Sequence, residues 1–176
     1  INYKDSNMLV RGYESSVEIY NSNFQNMVTR NSYPALMDLK GNSYGLIEKS
    51  NINLIKLNGC GLVDDEANYS FNKINFFKIT TSSKALITSY HRNLKLEHCN
   101  FNNIICNGDE NSSIIYYDSE DSERSFKIYN STFSDSTING PLIKIKGDNN
   151  NIEIEKLKIN NVVTFGPSIE NISLNV

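Results

Sequence analysis

Two adjacent carboxylates, Asp64 and Asp65, are the groups in this chain best suited by type to acid–base chemistry. Inverting polysaccharide hydrolases need paired carboxylates about 6.5–9.5 Å apart. Lyases of the pectate type instead combine acidic calcium ligands with an Arg or Lys base, and Arg92 and Arg124 have no sequence link to Asp64. The motifs N-T-D, G-H-G and R-I-K do not surround the pair. We therefore predict a chain without catalytic residues, in which residues 64–66 form a solvated turn.

The spacing of the acidic residues and cysteines does not match known metal-binding or redox motifs. Segment 118–123, D-S-E-D-S-E, has four carboxylates of the kind that calcium binds, but it lacks the D-x-D-x-D-G spacing of an EF-hand. Cys60, Cys99 and Cys106 show no C-x-x-C or Cys/His zinc spacing. We predict an acidic surface loop, three free thiols, no metal site and no cofactor.

The amino-acid composition narrows the fold class and the kinds of partner that are expected for this chain. The chain has 176 residues and a formal net charge of −3, which does not favour a nucleic-acid partner. No apolar run reaches the roughly 20 residues of a membrane span. The 28 Asn, 21 Ile and 10 Tyr, with only 9 Gly and 3 Pro, indicate many short strands joined by Asn-rich turns.

A ten-residue pattern occurs six times, with apolar residues at its first, third and eighth positions. The blocks are VEIYNSNFQN (17–26), GLIEKSNINL (45–54), ANYSFNKINF (67–76), LKLEHCNFNN (94–103), FKIYNSTFSD (126–135) and IEIEKLKINN (152–161). Their starts lie 28, 22, 27, 32 and 26 residues apart, a mean of 27. The longest interval contains segment 118–123, which we expect to leave the repeat as a loop.

An apolar triplet precedes each block, and a further block begins in the tail at 168–176. The triplets are MLV (8–10), ALM (35–37), GLV (61–63), ALI (85–87), SII (113–115) and PLI (141–143). Alternation with a period of two indicates strands, and no repeat has the spacing of an amphipathic helix. We predict a right-handed parallel β-helix of six to seven coils, with residues 1–176 a single fragment of a larger repeat protein.

The ninth or tenth position of every block is Asn or Asp. In stacked coils such residues lie above one another, about 4.8 Å apart, and their amides can bond from coil to coil. We predict a structural Asn ladder formed by Asn53, Asn75, Asn102 and Asn160.

Tyrosines are the candidate binding residues. Alternation turns Tyr20 and Tyr129 outward, and at least one of Tyr116 and Tyr117 must also face out. Exposed Tyr commonly anchors protein interfaces. Because the longest coil departs from the repeat here, we predict that a protein partner docks across residues 113–133, through Tyr116, Tyr117 and Tyr129.

Blocks such as LKLEHCNFNN and FKIYNSTFSD, each after a short apolar strand, resemble the Asn-rich β-helix repeats of the scaffoldins of anaerobic gut fungi, which organise cellulosomes. The resemblance implies a non-catalytic, extracellular or cell-surface scaffold module. Its expected partners are dockerin-like modules and the neighbouring β-helix repeats of the parent chain. An adhesin-like or carbohydrate-binding stalk and a polysaccharide lyase or hydrolase remain the alternatives. Sequons at Asn68, Asn111, Asn130 and Asn171 permit secretion without proving it.

Overall fold

The computed structural model describes residues 9–30 and 32–172, and these residues contain strands but no helix. The strands stack in parallel as a β-solenoid of about six turns, with a repeat of about 26 residues. Each turn contributes strands to all three sheets, which enclose a common interior. The predicted parallel β-helix and its repeat are confirmed.

Sheet I has seven strands: β1 (Val10–Tyr13), β5 (Met37–Lys40), β8 (Val63–Asp65), β11 (Ala85–Tyr90), β14 (Ser113–Asp118), β17 (Ile143–Lys146) and β20 (Ile169–Ile172). Sheet II has six: β2 (Ser16–Tyr20), β6 (Tyr44–Glu48), β9 (Asn68–Asn72), β12 (Leu94–Glu97), β15 (Arg124–Tyr129) and β18 (Asn150–Glu155). Sheet III contains β3 (Asn23–Gln25), β4 (Val28–Thr29), β7 (Asn51–Leu57), β10 (Asn75–Thr81), β13 (Asn100–Cys106), β16 (Thr132–Ile138) and β19 (Lys158–Thr164). Strand β20 lies beyond the sixth turn, as the tail pattern predicts.

The apolar triplets form the inner surface of sheet I. Their last residues are aligned across it, with Val10 beside Met37, Met37 beside Val63, and Ile87 beside Ile115. Because successive strand residues point to opposite sides of a sheet, the repeated apolar position places one side chain per coil in the interior.

The eighth block position forms an aromatic stack inside sheet III. The Phe101 ring lies nearly parallel to those of Phe76 and Phe133, at centroid distances of 4.3 and 4.5 Å. All three are fully buried. In-register stacking therefore brings the same residue type to the same interior position in consecutive coils.

The third block is displaced by two residues from the sequence alignment. The strand register pairs Phe76 with Ile52 and with Phe101, so the block runs over residues 69–78 instead of 67–76. A shift of two residues preserves alternation, and Ile74 is buried as well, which explains why the apolar pattern did not reveal the error.

The tenth position of the corrected blocks bends the chain through a left-handed conformation. The residues there, with φ between 50° and 57°, are Asn26, Leu54, Lys78, Asn103, Asp135 and Asn161. Asn and Asp adopt this conformation more readily than other non-glycine residues. The recurrent Asn at this position therefore has a conformational cause.

The predicted Asn ladder is wrong as a single column. Asn53, Asn102 and Asn160 share one register position on sheet III, which Phe77 occupies in the third coil. Asn75 lies two residues away in the next column, beside Asn100. The side chains of both columns lie on the outer side of the sheet, since the eighth-position residue between them points inward.

Amide bonding between coils does occur, but at the surface. Asn100 Nδ2 donates to Asn75 Oδ1 over 3.0 Å, and Asn53 Nδ2 donates to Asn23 Oδ1 over 3.1 Å. Asn102 Nδ2 donates to Ser134 Oγ over 2.8 Å. If Asn102 belonged to a ladder within a turn, its removal would leave buried backbone groups unpaired. Asn102 is half-exposed, so its removal would not have that effect.

The cysteines confirm the prediction of three free thiols, and all three are buried. Burial raises the pKa of Cys99 to about 12 and raises that of Cys106 as well. Because the thiolate is the reactive form, these side chains behave as small apolar core residues.

Gly45 occupies a block position that carries an apolar side chain in the other blocks. Contacts with the neighbouring coil explain this exception. A Cβ atom on Gly45 would lie 2.5 Å from Tyr69 Cε1 and 3.2 Å from Met37 Sδ. Tyr69 is itself only 2% exposed. The missing side chain therefore provides the space that the Tyr69 ring occupies.

We expect Gly45→Ala to lower the free energy of unfolding by about 1–3 kcal/mol, because the added methyl group overpacks the interior. Urea denaturation followed by circular dichroism measures the change. Tyr69→Leu in the same chain should relieve the clash, so that the double variant is more stable than the sum of the single effects indicates. Strictly additive effects would contradict this packing explanation.

Candidate functional site

The predicted binding residues do not form one surface. Tyr117 points into the solenoid, where it is fully buried and its ring lies 5.1 Å from that of Phe126. Tyr129 belongs to β15 of sheet II, whereas Tyr116 and Tyr117 belong to β14 of sheet I. The acidic segment 118–123 lies at the corner between these two sheets, so it separates the tyrosines instead of grouping them.

Tyr116 is the one of the two neighbouring tyrosines that faces outward, but only 4% of it is exposed. Lys84 Nζ lies 3.4 Å from the centroid of its ring, and the Tyr90 ring packs at 5.9 Å. Its hydroxyl donates to Asp118 Oδ2 over 3.0 Å. The expectation that Tyr116 or Tyr117 offers an exposed ring is therefore wrong, because side chains from neighbouring coils cover the one that faces out.

These residues form a connected polar cluster on the outer face of sheet I. Lys84 Nζ donates to the Tyr90 hydroxyl over 3.2 Å, and Lys146 Nζ lies 3.6 Å from Asp118 Oδ2. Loss of hydration lowers the pKa of Lys84, although the side chain is partly accessible, and Asp118 opposes that shift. Burial raises the pKa of Tyr90 to about 12, with Asp64 and Asp118 adding to it. The cluster is therefore internally paired.

Asp64, one of the two carboxylates considered for acid–base chemistry, lies on the same face as Asp38 and belongs to strand β8 instead of the predicted turn. Asp38 is 6% exposed and accepts a bond from Arg11 Nε at 2.9 Å. Asp64 lies on the next strand of sheet I, and its side chain is accessible to solvent. Partial loss of hydration nevertheless raises the pKa of this carboxyl group. Lys84 opposes this shift and the charge on Asp38 adds to it. Arg11 thus pairs with Asp38, while loss of hydration makes the neighbouring Asp64 more readily protonated.

The arginines considered as lyase bases are directed elsewhere. Arg92 donates from Nη2 to Gly41 O over 3.3 Å, and Arg124 donates from Nε to His91 O over 2.8 Å. Both bonds brace the corner between sheets I and II. His91 lies there too, with Nδ1 3.4 Å from Glu120. The fold therefore does not bring Arg92 or Arg124 together with Asp64 in an acid–base arrangement.

Metal binding finds no geometric support in the part of the chain that the structure describes. Within residues 9–30 and 32–172, no group of three or more His, Cys, Asp or Glu side chains is arranged to hold an ion.

Exposed aromatic side chains occur instead at the first coils of sheet I. Tyr13 is 70% exposed and Tyr33 is 49% exposed. The Arg11 guanidinium lies 5.1 Å from the Tyr33 ring centroid while it binds Asp38. We call Arg11, Tyr13 and Tyr33 the aromatic rim. Tyr and Arg are the residue types most enriched at energetically important positions of protein interfaces.

All three residues of the aromatic rim line a cleft of about 550 Å³. Arg11 and Tyr33 also line a cleft of about 420 Å³ that extends to Tyr90 and includes Asp38 and Asp64. Sequence reasoning did not identify Tyr33 or Arg11 as candidate binding residues. Tyr33 belongs to the loop S-Y-P, outside every block, and this interruption of the repeat was the available signal.

The fold places this chain in the class of parallel β-solenoid proteins. Comparison of the sequence with protein-family models and with curated proteins finds no match. The described residues include no helix that is long and apolar enough to cross a membrane.

Proposed function

We propose that this chain is a non-catalytic scaffold module of a secreted or cell-surface assembly, which binds a protein partner through the aromatic rim. The observation that carries the proposal is that Tyr13 and Tyr33, both large and exposed, line one concave surface together with Arg11. Such a surface supplies aromatic anchors and a cation beside a pocket, which are the usual components of a binding hot spot.

The solenoid supports a scaffold role. Its sheets run through consecutive coils in register, and the core is one continuous cluster. Consequently, the aromatic rim is held on strands and a short loop of a packed framework, which limits the ordering entropy lost on binding. The resemblance to scaffoldins makes a dockerin module the first partner to test.

Isothermal titration calorimetry with a purified dockerin module of the gut-fungal type tests this proposal. We expect Tyr13→Ala combined with Tyr33→Ala to raise the Kd more than tenfold, since a hot-spot residue contributes at least about 2 kcal/mol. Tyr20→Ala is the matched control, because Tyr20 is 46% exposed but lies on sheet II. It should leave the Kd unchanged.

Two results would contradict the proposal. One is equal affinity of the rim variant and the wild type, which would move the partner to another surface. The other is turnover of pectin, xylan or cellulose, with or without calcium, that disappears in Asp64→Asn combined with Asp65→Asn. That outcome would favour the polysaccharide enzyme among the alternatives.

A further inference from the structure

The outer face of sheet II holds an open trough of about 670 Å³ that crosses strands β6, β9, β12 and β15. Its floor contains Asn68, Ser70 and Asn93, and its sides include Tyr44 and Tyr129. The aromatic rim belongs to sheet I, so the trough is a separate surface.

Two asparagines on the floor present their amide groups in a fixed orientation. Asn68 Oδ1 accepts a bond from the backbone N–H of Asn93 at 3.0 Å, and Asn93 Oδ1 accepts one from the backbone N–H of Ser125 at 2.9 Å. Each side-chain oxygen thus accepts a hydrogen bond from a backbone N–H group of the next coil. Because the oxygen is held, the Nδ2 group of the same amide is held as well.

These amide nitrogens are donors that the protein does not use. Among the described residues, neither Asn68 Nδ2 nor Asn93 Nδ2 has an acceptor, and the Ser70 hydroxyl, two residues further along β9, has no partner. Asn68 begins β9 and Asn93 directly precedes the neighbouring β12, so their donors lie one coil apart along the rod axis, at about 4.8 Å. The trough therefore offers two amide donors, one coil apart, to an extended ligand.

Charge in the trough is already balanced. Lys95 Nζ lies 2.7 Å from Glu97 Oε2, and Lys127 Nζ lies 2.6 Å from Glu153 Oε1. The Tyr129 hydroxyl also donates to Glu153. A phosphate or polyanion would have to displace these carboxylates, whereas an uncharged ligand would not.

Aromatic rings line the trough beside the polar floor. Tyr44 is 37% exposed, and Tyr129 is half-exposed with Lys95 Nζ 5.8 Å from its ring centroid. A pyranose ring presents hydroxyl groups at its edge and C–H groups on its faces. It can accept bonds from the amides while a face packs on a tyrosine ring.

From this geometry we propose that the trough binds a neutral oligosaccharide lying along the rod axis, with Asn68 and Asn93 as hydrogen-bond donors and Tyr44 as a stacking wall. The unused donors, the aromatic wall and the internally paired lysines together favour this class of ligand. The site does not depend on the aromatic rim, so either site can bind without the other.

The test is an NMR titration of the ¹⁵N-labelled chain with cellohexaose, xylohexaose and mannohexaose, and with hexagalacturonate as the charged comparison. Protein made in bacteria carries no N-glycan at the Asn68 sequon. We expect at least one neutral hexasaccharide to shift the side-chain amide signals of Asn68 and Asn93 saturably. Hexagalacturonate should bind more weakly than that ligand.

The variant that isolates the donors is Asn68→Asp combined with Asn93→Asp. It keeps an oxygen to cap each following coil but removes both NH₂ groups, and it should weaken binding at least about tenfold. Asn51→Asp combined with Asn149→Asp adds the same charge at exposed positions outside the trough and should bind as the wild type does. Tyr44→Ala should weaken binding about fivefold or more, and Tyr20→Ala should not.

Three outcomes would overturn the proposal. They are the absence of saturable shifts with all three neutral hexasaccharides, tighter binding of hexagalacturonate than of any neutral ligand, and wild-type affinity in the Asn68→Asp, Asn93→Asp variant. The wild-type titration and the Tyr44→Ala variant decide the question if the double aspartate variant does not fold. Loss of dockerin binding in the rim variant does not bear on these results, because that variant leaves sheet II unchanged.

Discussion

Replacing Phe101 by alanine is expected to lower the free energy of unfolding by about 3–5 kcal/mol. Phe101 is fully buried between Phe76 and Phe133, and its removal leaves a cavity between two parallel rings. The strands on either side are hydrogen-bonded across sheet III, which limits collapse of the cavity. Urea denaturation followed by circular dichroism measures the loss.

Phe77→Ala is the matched control on the neighbouring strand. Phe77 has the same side chain and follows Phe76, but it lies on the outer side of the sheet and is half-exposed. Its replacement should cost no more than about 1 kcal/mol. Similar losses in the two variants would show that the assignment of inner and outer faces is wrong.

Replacing Tyr117 by alanine is also expected to destabilise the fold by about 3–5 kcal/mol. Tyr117 fills the interior beside Phe126, and the residue paired with it on the previous coil is the small Ser89. A truncated side chain there would leave a void. Loss of partner binding in this variant would therefore reflect loss of structure.

The Tyr117→Phe variant distinguishes the contribution of the hydroxyl group to stability from that of the ring. The Tyr117 hydroxyl is buried without a hydrogen-bond partner among the described residues. Removing it should leave stability unchanged or raise it by about 1 kcal/mol, since a buried unpaired polar group is costly. A loss of more than about 1 kcal/mol on thermal or urea denaturation would show that the hydroxyl is hydrogen-bonded.

The solenoid itself was predictable from the sequence because its signal is repeated. The apolar triplets and the first, third and eighth block positions recur in every coil, and stacking places equivalent residues in contact. Phe101 could be assigned to the interior in this way. The exact register was less accessible, since a shift of two residues conserves alternation. Only the pairing of Phe76 with Ile52 and Phe101 shows where the third block begins.

The function of the recurrent Asn was partly predictable. Its position in each block indicated a turn, and the left-handed φ of Asn26, Asn103 and Asn161 supplies the reason. The sequence did not distinguish this backbone role from side-chain bonding. The asparagines that bond between coils include some directly beside that bend, such as Asn102, and some three residues before it, such as Asn100 with Asn75.

The candidate sites depended on tertiary structure. Alternation required one of Tyr116 and Tyr117 to face outward, but exposure depends on what the neighbouring coils place over the outward ring, and Lys84 and Tyr90 cover that of Tyr116. Conversely, Tyr33 stands in a loop without a repeat pattern and becomes prominent because Arg11 and Asp38 lie beside it.

The sequence by itself determined the strand period, the number of coils and the identity of most core positions, because these follow from a local pattern repeated along the chain. Tertiary structure alone decided which outward side chains are covered, which carboxylates are paired and where donors such as Asn68 Nδ2 remain unused. Those properties arise between residues of different coils, about 24 to 32 positions apart in the chain, and no local pattern encodes such contacts.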